Sequence, residues 1–228
     1  MGVDNSFTKS LLHFDNNITD ESGKTWANAA STPFTATAKF GSHAIDFTAG
    51  SDYIDTADSD DWNVGSGDFT VDFWMYPTTN NISGWICGQL KSDGASSSGA
   101  WSVRFNGTTN KLNVTIVSGS TQYTAESASA YSTNSWQHVA GVRDGNTLRL
   151  FVAGTEKATA NVTGVTANDS AYKMAIGRPG EYNGLYARYL YLDEFRFSKG
   201  IARWTTDFTP PTAPYPSRVL SSPQAIIF

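Results

Sequence analysis

Hydrophobic and polar residues alternate with a period of two along most of the chain. Phe69, Val71, Phe73 and Met75 fall on one side of an extended run, and Thr70, Asp72, Trp74 and Tyr76 on the other. Residues 112–116 and 148–152 repeat the pattern, the second placing Arg149 and Phe151 opposite Leu148, Leu150 and Val152. Such alternation predicts strands with one face packed inward. Further strands are expected at 11–15, 43–47, 86–89, 101–106, 137–143, 172–176 and 189–198. Between them lie turn signals: Gly65-Ser66-Gly67, Asn106-Gly107, Asp144-Gly145-Asn146, Ala153-Gly154 and Asn183-Gly184. Gly145 is expected at positive φ in a tight hairpin. Ten or more short strands without a helical period predict an all-β sandwich of two antiparallel sheets. No break in composition divides residues 10–205, so one domain is expected.

Composition agrees with this picture. Of 228 residues, 16% are charged and 13% aromatic. Glutamate occurs at Glu21, Glu126, Glu156, Glu181 and Glu194 alone, which leaves too little helix-forming material for a bundle. The net charge of −5 excludes the basic footprint of nucleic-acid binding. No apolar run approaches the ~20 residues that cross a bilayer as a helix, so membrane insertion is not expected. The single Cys87 forms no intrachain disulfide, and the start of the chain lacks a secretory leader pattern. Five of eight prolines fall after residue 209. Residues 209–216 are therefore expected to form an extended strap, because proline cannot join a central strand. The apolar end at Ala225–Phe228 either tucks back onto the domain or hooks a neighbouring subunit.

Taken together, several segments resemble the laminin-G-like branch of the concanavalin A-like lectin/glucanase superfamily. They include Leu11-Leu12-His13-Phe14-Asp15, Asp68-Phe69-Thr70-Val71-Asp72-Phe73-Trp74 and Trp136-Gln137-His138-Val139-Ala140. Asp20-Glu21-Ser22-Gly23-Lys24, Lys39-Phe40-Gly41-Ser42, Arg143 through Gly154, Ile176-Gly177-Arg178, Leu192 through Lys199, Ile201-Ala202-Arg203-Trp204 and Phe208-Thr209-Pro210-Pro211 complete the set. The likeness implies a jelly roll whose first and last strands are neighbours. It divides the chain into an arm at 1–8, the domain at 9–208, and a Pro-rich strap with apolar tail at 209–228. It also resembles domains of phage structural proteins, which implies a virion component, a fibre or capsid decoration made in the host cytoplasm and displayed on the particle. Such a component would contact other virion subunits or further copies of itself. The alternative is a carbohydrate-binding module of a bacterial surface protein, extracellular or on the cell surface.

The chemistry-bearing residues are few. Glucanases of this superfamily use a Glu-x-Asp-x-(x)-Glu strand motif, which is absent here, so no enzymatic activity is expected. Members commonly hold a structural calcium where the first and last strands meet. Asp193, read as core-facing by its parity with Phe195 and Phe197, would supply one ligand, with Asp15 or Asp20 and nearby carbonyls. The alternative is that Asp193 accepts hydrogen bonds without metal. The cluster Asp58-Ser59-Asp60-Asp61 reads as a solvated acidic turn. A glycan or host-surface polysaccharide needs aromatic platforms beside polar groups. Trp101, Tyr182, Tyr186, Trp85 and Trp74 are the candidates, with 180–186 the most binding-like loop.

Overall fold

A computed structural model describes residues 6–80, 82–90, 99–129, 131–179 and 186–217. Fifteen strands follow in chain order. They are β1 (Thr8–Leu12), β2 (Trp26–Ala27), β3 (Phe34–Thr35), β4 (Ala44–Asp46), β5 (Ile54–Thr56), β6 (Phe69–Pro77), β7 (Gly84–Gln89) and β8 (Trp101–Asn106). Next come β9 (Lys111–Ser118), β10 (Thr121–Glu126), β11 (Gln137–Asp144), β12 (Thr147–Val152), β13 (Thr155–Asn161), β14 (Met174–Ile176) and β15 (Leu190–Lys199). One sheet runs β13-β12-β11-β6-β15-β4-β3, with β1 also on β15; the other runs β10-β9-β8-β7-β14-β5-β2. All pairings are antiparallel, and Leu12 lies opposite Phe195, so the opening and closing strands are neighbours as expected.

The alternating apolar positions meet between the sheets. Phe69, Val71, Phe73 and Met75 face Trp101, Val103, Phe105, Val114 and Ile116 in one core. Phe197 stacks on Trp101 at 4.9 Å between ring centroids. The sequence reading lacks β2, β3 and β5, which are only two or three residues long, and β10 and β13, which show little apolar alternation. β10 and β13 are edge strands, and β13 alternates only between exposed and half-buried. Two-residue turns join the hairpins: Asp144 pairs with Thr147 around Gly145 at φ +55°. Ala153 and Gly154, both at positive φ, join β12 to β13, as a hairpin twisted to match its strands requires.

The central strands of the eight-stranded sheet, β6, β11 and β15, are buried on both faces. On the sheet's outer face Ala140, Val142 and Phe151 pack against Ala202, Trp204 and Phe208, a second small core. Residues 201–217 return across this face in irregular backbone. Thr70 Oγ1 donates to Ile201 O, Glu156 N to Asp207, and Phe208 N to Gly154 O. A Cβ on Gly154 would lie 2.0 Å from Phe208 O, so glycine there admits the strap as well as the turn. The strap thus extends without joining the sheet, as its prolines predict, and it begins some eight residues earlier than the prolines do.

Beneath the strap lies a charged network. Asp72, fully buried, accepts from Arg196 Nε at 3.1 Å and Nη2 at 3.0 Å, and from the Tyr215 hydroxyl. His138 Nε2 lies 3.0 Å from that hydroxyl and 3.4 Å from Asp72. Burial alone would raise the Asp72 pKa, but Arg196 and His138 outweigh it and hold the carboxyl well below its usual range. Arg196 lies 3.8 Å over the Tyr215 ring. Glu194 accepts from Tyr215 N at 2.7 Å and pairs with His13 Nδ1 at 2.7 Å. Removing the Asp72 charge strands a buried guanidinium. Asp72→Asn should cost about 3–5 kcal/mol in a denaturant titration. A loss below about 1 kcal/mol would show that the pair does not hold the strap.

Candidate functional site

On the seven-stranded sheet, the side chains facing away from the core are mostly polar. Ile86, Val103, Phe105, Leu112, Val114 and Ala125 point inward, so the alternate residues Trp85, Arg104, Asn113 and Glu126 point outward. The ladder sets these four in one row: Trp85 opposite Arg104, Arg104 opposite Asn113, Asn113 opposite Glu126. Arg104 Nε donates to Asn113 Oδ1 at 3.1 Å, and its guanidinium lies 5.3 Å from the Trp85 ring. Glu126 Oε2 accepts from Asn106 Nδ2 at 2.7 Å and Asn113 Nδ2 at 3.4 Å. Trp85, Arg104, Asn106 and Glu126 are half-buried.

Tyr186 continues the row. It forms an isolated parallel bridge with Trp85, and its ring lies 6.2 Å from Tyr53. Arg178 sits 3.4 Å over Tyr53 and pairs with Asp55 at 2.9 Å. A depression of about 320 Å³ opens beside the row, lined by Ser83, Gly84, Trp85, Arg104, Phe105, Asn106, Gly107 and Thr108. The structure therefore brings Trp85 and Tyr186 together, from positions a hundred residues apart in sequence. Tyr182 lies outside the described residues.

The other two aromatic candidates are corrected. Trp101 is fully buried between the sheets, its Nε1 donating to Trp62 O at 3.1 Å. Its parity with Val103 and Phe105 places it inward. Trp74 does point away from the core, but it is enclosed: Phe40 meets its ring edge-on at 5.9 Å, His138 at 5.4 Å, and Lys39 Nζ lies 4.1 Å over it. A third aromatic group was not singled out by sequence. Trp136, Tyr76 and Tyr191 lie side by side on the outer face of the eight-stranded sheet, next to Asp46. Tyr76 and Tyr191 stack on each other at 5.6 Å, which occupies ring faces that a sugar would need. For Tyr76 the available signal was its parity with Trp74 on β6.

The three carboxylates do not converge on one position. Asp20 accepts from Ser10 Oγ and Trp26 Nε1 on one oxygen, and from Leu11 N, Ser22 N and Ser22 Oγ on the other. Asp15 accepts from Ser42 N at 2.6 Å and Ser42 Oγ at 3.1 Å. Gly41 is obligatory beside it, since a Cβ would fall 2.2 Å from Asp15 Oδ1. Asp193 Oδ2 accepts from Lys39 N at 2.7 Å and Phe40 N at 3.0 Å. The expected parity of Asp193 fails because the ladder shifts between Asp193 and Arg196, with Glu194 at φ +52°. Leu192 and Phe195 both face the core, and Asp193 turns outward beside Trp74. Donor hydrogens engage both oxygens of Asp20 but one oxygen each of Asp15 and Asp193. No group of three His, Cys, Asp or Glu able to hold a metal occurs among the described residues. The acidic turn separates likewise: Asp61 pairs with Lys24 at 2.5 Å, and Asp58 accepts from Gln89.

The fold finds a match in sequence. Residues 48–201 fit the laminin-G model of the concanavalin A-like lectin/glucanases superfamily, well over half of the chain. The chain belongs to this superfamily. No curated protein matches it by sequence. Among solved structures, this lectin-like domain resembles the binding domain of Paraclostridial Mosquitocidal Protein 1, with a TM-score of 0.68 at 14% identity over 85% of this chain and 49% of that one. The binding domain of botulinum neurotoxin serotype G gives 0.64 at 16% identity, over 85% and 48%. Domain 4 of AbnA, a GH43 extracellular arabinanase from Geobacillus stearothermophilus solved with arabinotriose, gives 0.62 at 18% identity over 86% and 93%. The chain spans about half the length of the toxin binding domains and nearly all of the arabinanase domain. At these identities the likeness is one of fold.

The environment of Asp193 has a measurable consequence. Burial outweighs its two amide donors and raises its pKa to about 7, while Asp193 Oδ1 is buried without a partner. Folded protein then binds a proton that unfolded chain, with an ordinary aspartate pKa near 3.8, has released. Stability contributed by this residue is present below about pH 4, falls as pH rises to about 7, and stays lost above. Asp193→Asn should raise the melting temperature at pH 8 and flatten its fall between pH 4 and 7. An unchanged pH profile would refute the assignment. EDTA tests the calcium expectation: a drop of several degrees in the melt of the wild-type chain would support it, and an unshifted melt would count against it.

Proposed function

We propose that this chain is a non-catalytic carbohydrate-binding domain that takes its ligand on the outer face of the seven-stranded sheet, at Trp85 and Tyr186. The observation that carries the reading is the asymmetry of the sandwich. Residues 201–217 cover the middle of the outer face of one sheet, while the other presents half-buried aromatic rings beside Arg104, Asn106, Asn113 and Glu126. Aromatic rings contribute contact with sugar C–H faces, and amide and charged groups in fixed register select hydroxyl positions. The arabinanase domain in complex with arabinotriose, and the serotype D neurotoxin domain in complex with N-acetylneuraminic acid, lend the fold a precedent for glycan ligands.

The setting we propose is the surface of a virion, as a fibre or decoration subunit that attaches to host polysaccharide; a bacterial surface protein is the alternative. It rests on the likeness of the sequence to phage structural domains. Labelling of purified particles with an antibody to the chain tests it, and particles without label would favour the bacterial alternative.

A glycan array should give hits that Trp85→Ala reduces at least tenfold while the melting curve shifts little, since Trp85 lies outside the core. Trp101→Ala provides the contrast. It removes a core ring and should cost about 3–5 kcal/mol of stability, losing binding only through unfolding. A Trp85→Ala protein that keeps every hit would move the site elsewhere.

A further inference from the structure

The arginines on this domain are satisfied in different ways. Arg149 pairs with Asp144 and Glu156, Arg178 with Asp55, and Arg196 with Asp72. Arg143 donates to the carbonyls of Gly145, Gly65 and Val165. Arg104 is half-buried and has no carboxylate within ion-pair distance among the described residues; its one hydrogen bond there is Nε to Asn113. Burial lowers its pKa, and the charge of Glu126 offsets this only in part. Glu126 itself is held by Asn106 and Asn113. The Trp85 ring contributes a cation–π contact, which recovers part of the cost of withdrawing a guanidinium from water. Beside it, Trp85 Nε1 is buried without an acceptor. Both side chains line the same depression of about 320 Å³.

A half-buried cation with its terminal nitrogens uncommitted, next to an orphaned indole N–H, forms a donor-only corner in an acidic protein. Building on the carbohydrate-binding reading, we infer that Arg104 and Trp85 select an anionic saccharide, a polymer whose repeating sugar carries a carboxylate or sulfate. The planar guanidinium matches two oxygens of such a group at once, where a neutral hydroxyl would take one bond and leave the charge unpaired. Asn106 and the Ser83–Gly84 backbone stand at the rim, positioned for hydroxyls of the same sugar.

The test uses the full chain in affinity electrophoresis against four polymers: polygalacturonate, the same polymer after carboxyl reduction, dextran sulfate and dextran. Retention by polygalacturonate should vanish on carboxyl reduction and weaken as salt is raised. Arg104→Gln should weaken it about ten- to hundredfold, the worth of a charge-assisted bond. Arg104→Lys, which keeps the charge but not the fork, should fall between. Lys157→Gln, on the edge strand β13 of the other sheet, controls for net charge and should change nothing. Retention by dextran sulfate alone, still dependent on Arg104, names sulfate as the anionic group and supports the inference.

Equal retention by the carboxyl-reduced polymer and dextran, with Arg104→Gln harmless and Trp85→Ala damaging, overturns the anionic preference and leaves the carbohydrate-binding reading intact. Retention that responds to charge but equally to Lys157→Gln and Arg104→Gln overturns the site. Retention by none of the four, together with an empty glycan array, sinks both readings.

Discussion

The pairing of Asp72 with Arg196 is the constraint on which the form of this domain depends. Two charges on adjacent strands of a sheet interior carry a desolvation penalty of several kcal/mol each, offset only when geometry and surrounding hydrogen bonds are good. Here the guanidinium meets the carboxylate through two nitrogens, and the Tyr215 hydroxyl and His138 supply the rest. Tyr215 comes from the strap, so the pair is complete only when the strap is down. The same ring lies over Arg196, and Tyr215 N bonds Glu194 from above. One polar cluster thereby fixes where the irregular C-terminal segment must lie, a task that the small apolar contact of Trp204 and Phe208 with Phe151 would perform with less specificity.

That closure divides labour between the sheets. An antiparallel sandwich ordinarily leaves both outer faces to water. In this chain the middle of the outer face of the eight-stranded sheet is given over to Asp72, Trp74, His138 and the strap above them, and its central strands are buried on both sides. The seven-stranded sheet keeps polar residues outward, in a register that sets Trp85, Arg104, Asn113 and Glu126 abreast. Side chains mounted on neighbouring strands are held by the ladder itself, so the row keeps its spacing without support from loops.

Much of the fold was legible because a period of two is a direct report of a sheet with one face in the core. Phe69–Met75 and Leu148–Val152 announce themselves this way. β10 and β13 do not, because edge strands need no apolar face. The site was legible in part. Trp85 and Tyr186 were named from residue type, but nothing in one sequence says that a hundred-residue gap closes into a bridge. Arg104 was passed over, since its significance lies in lacking a carboxylate partner among the described residues, which only the packed structure can reveal. Trp101 was misread although its parity with Val103 already placed it inward. Asp193 was misread for a subtler reason. Parity counting assumes an unbroken ladder, and the shift at Glu194 reverses every assignment on one side of it.

The same shift ties the misreading of Asp193 to the network. By turning Glu194 through positive φ, β15 carries Leu192 and Phe195 into one core while Glu194 and Arg196 face the strap. Without the extra residue, Arg196 would point between the sheets, where no carboxylate awaits it, and Phe195 would point outward. The irregularity is therefore what lets a single strand serve the core, the charged cluster and, through Asp193, the 39–40 backbone at once. A strand that must satisfy three environments cannot keep a simple alternation, and the place where alternation fails is the place where the closing strand takes on its added structural role.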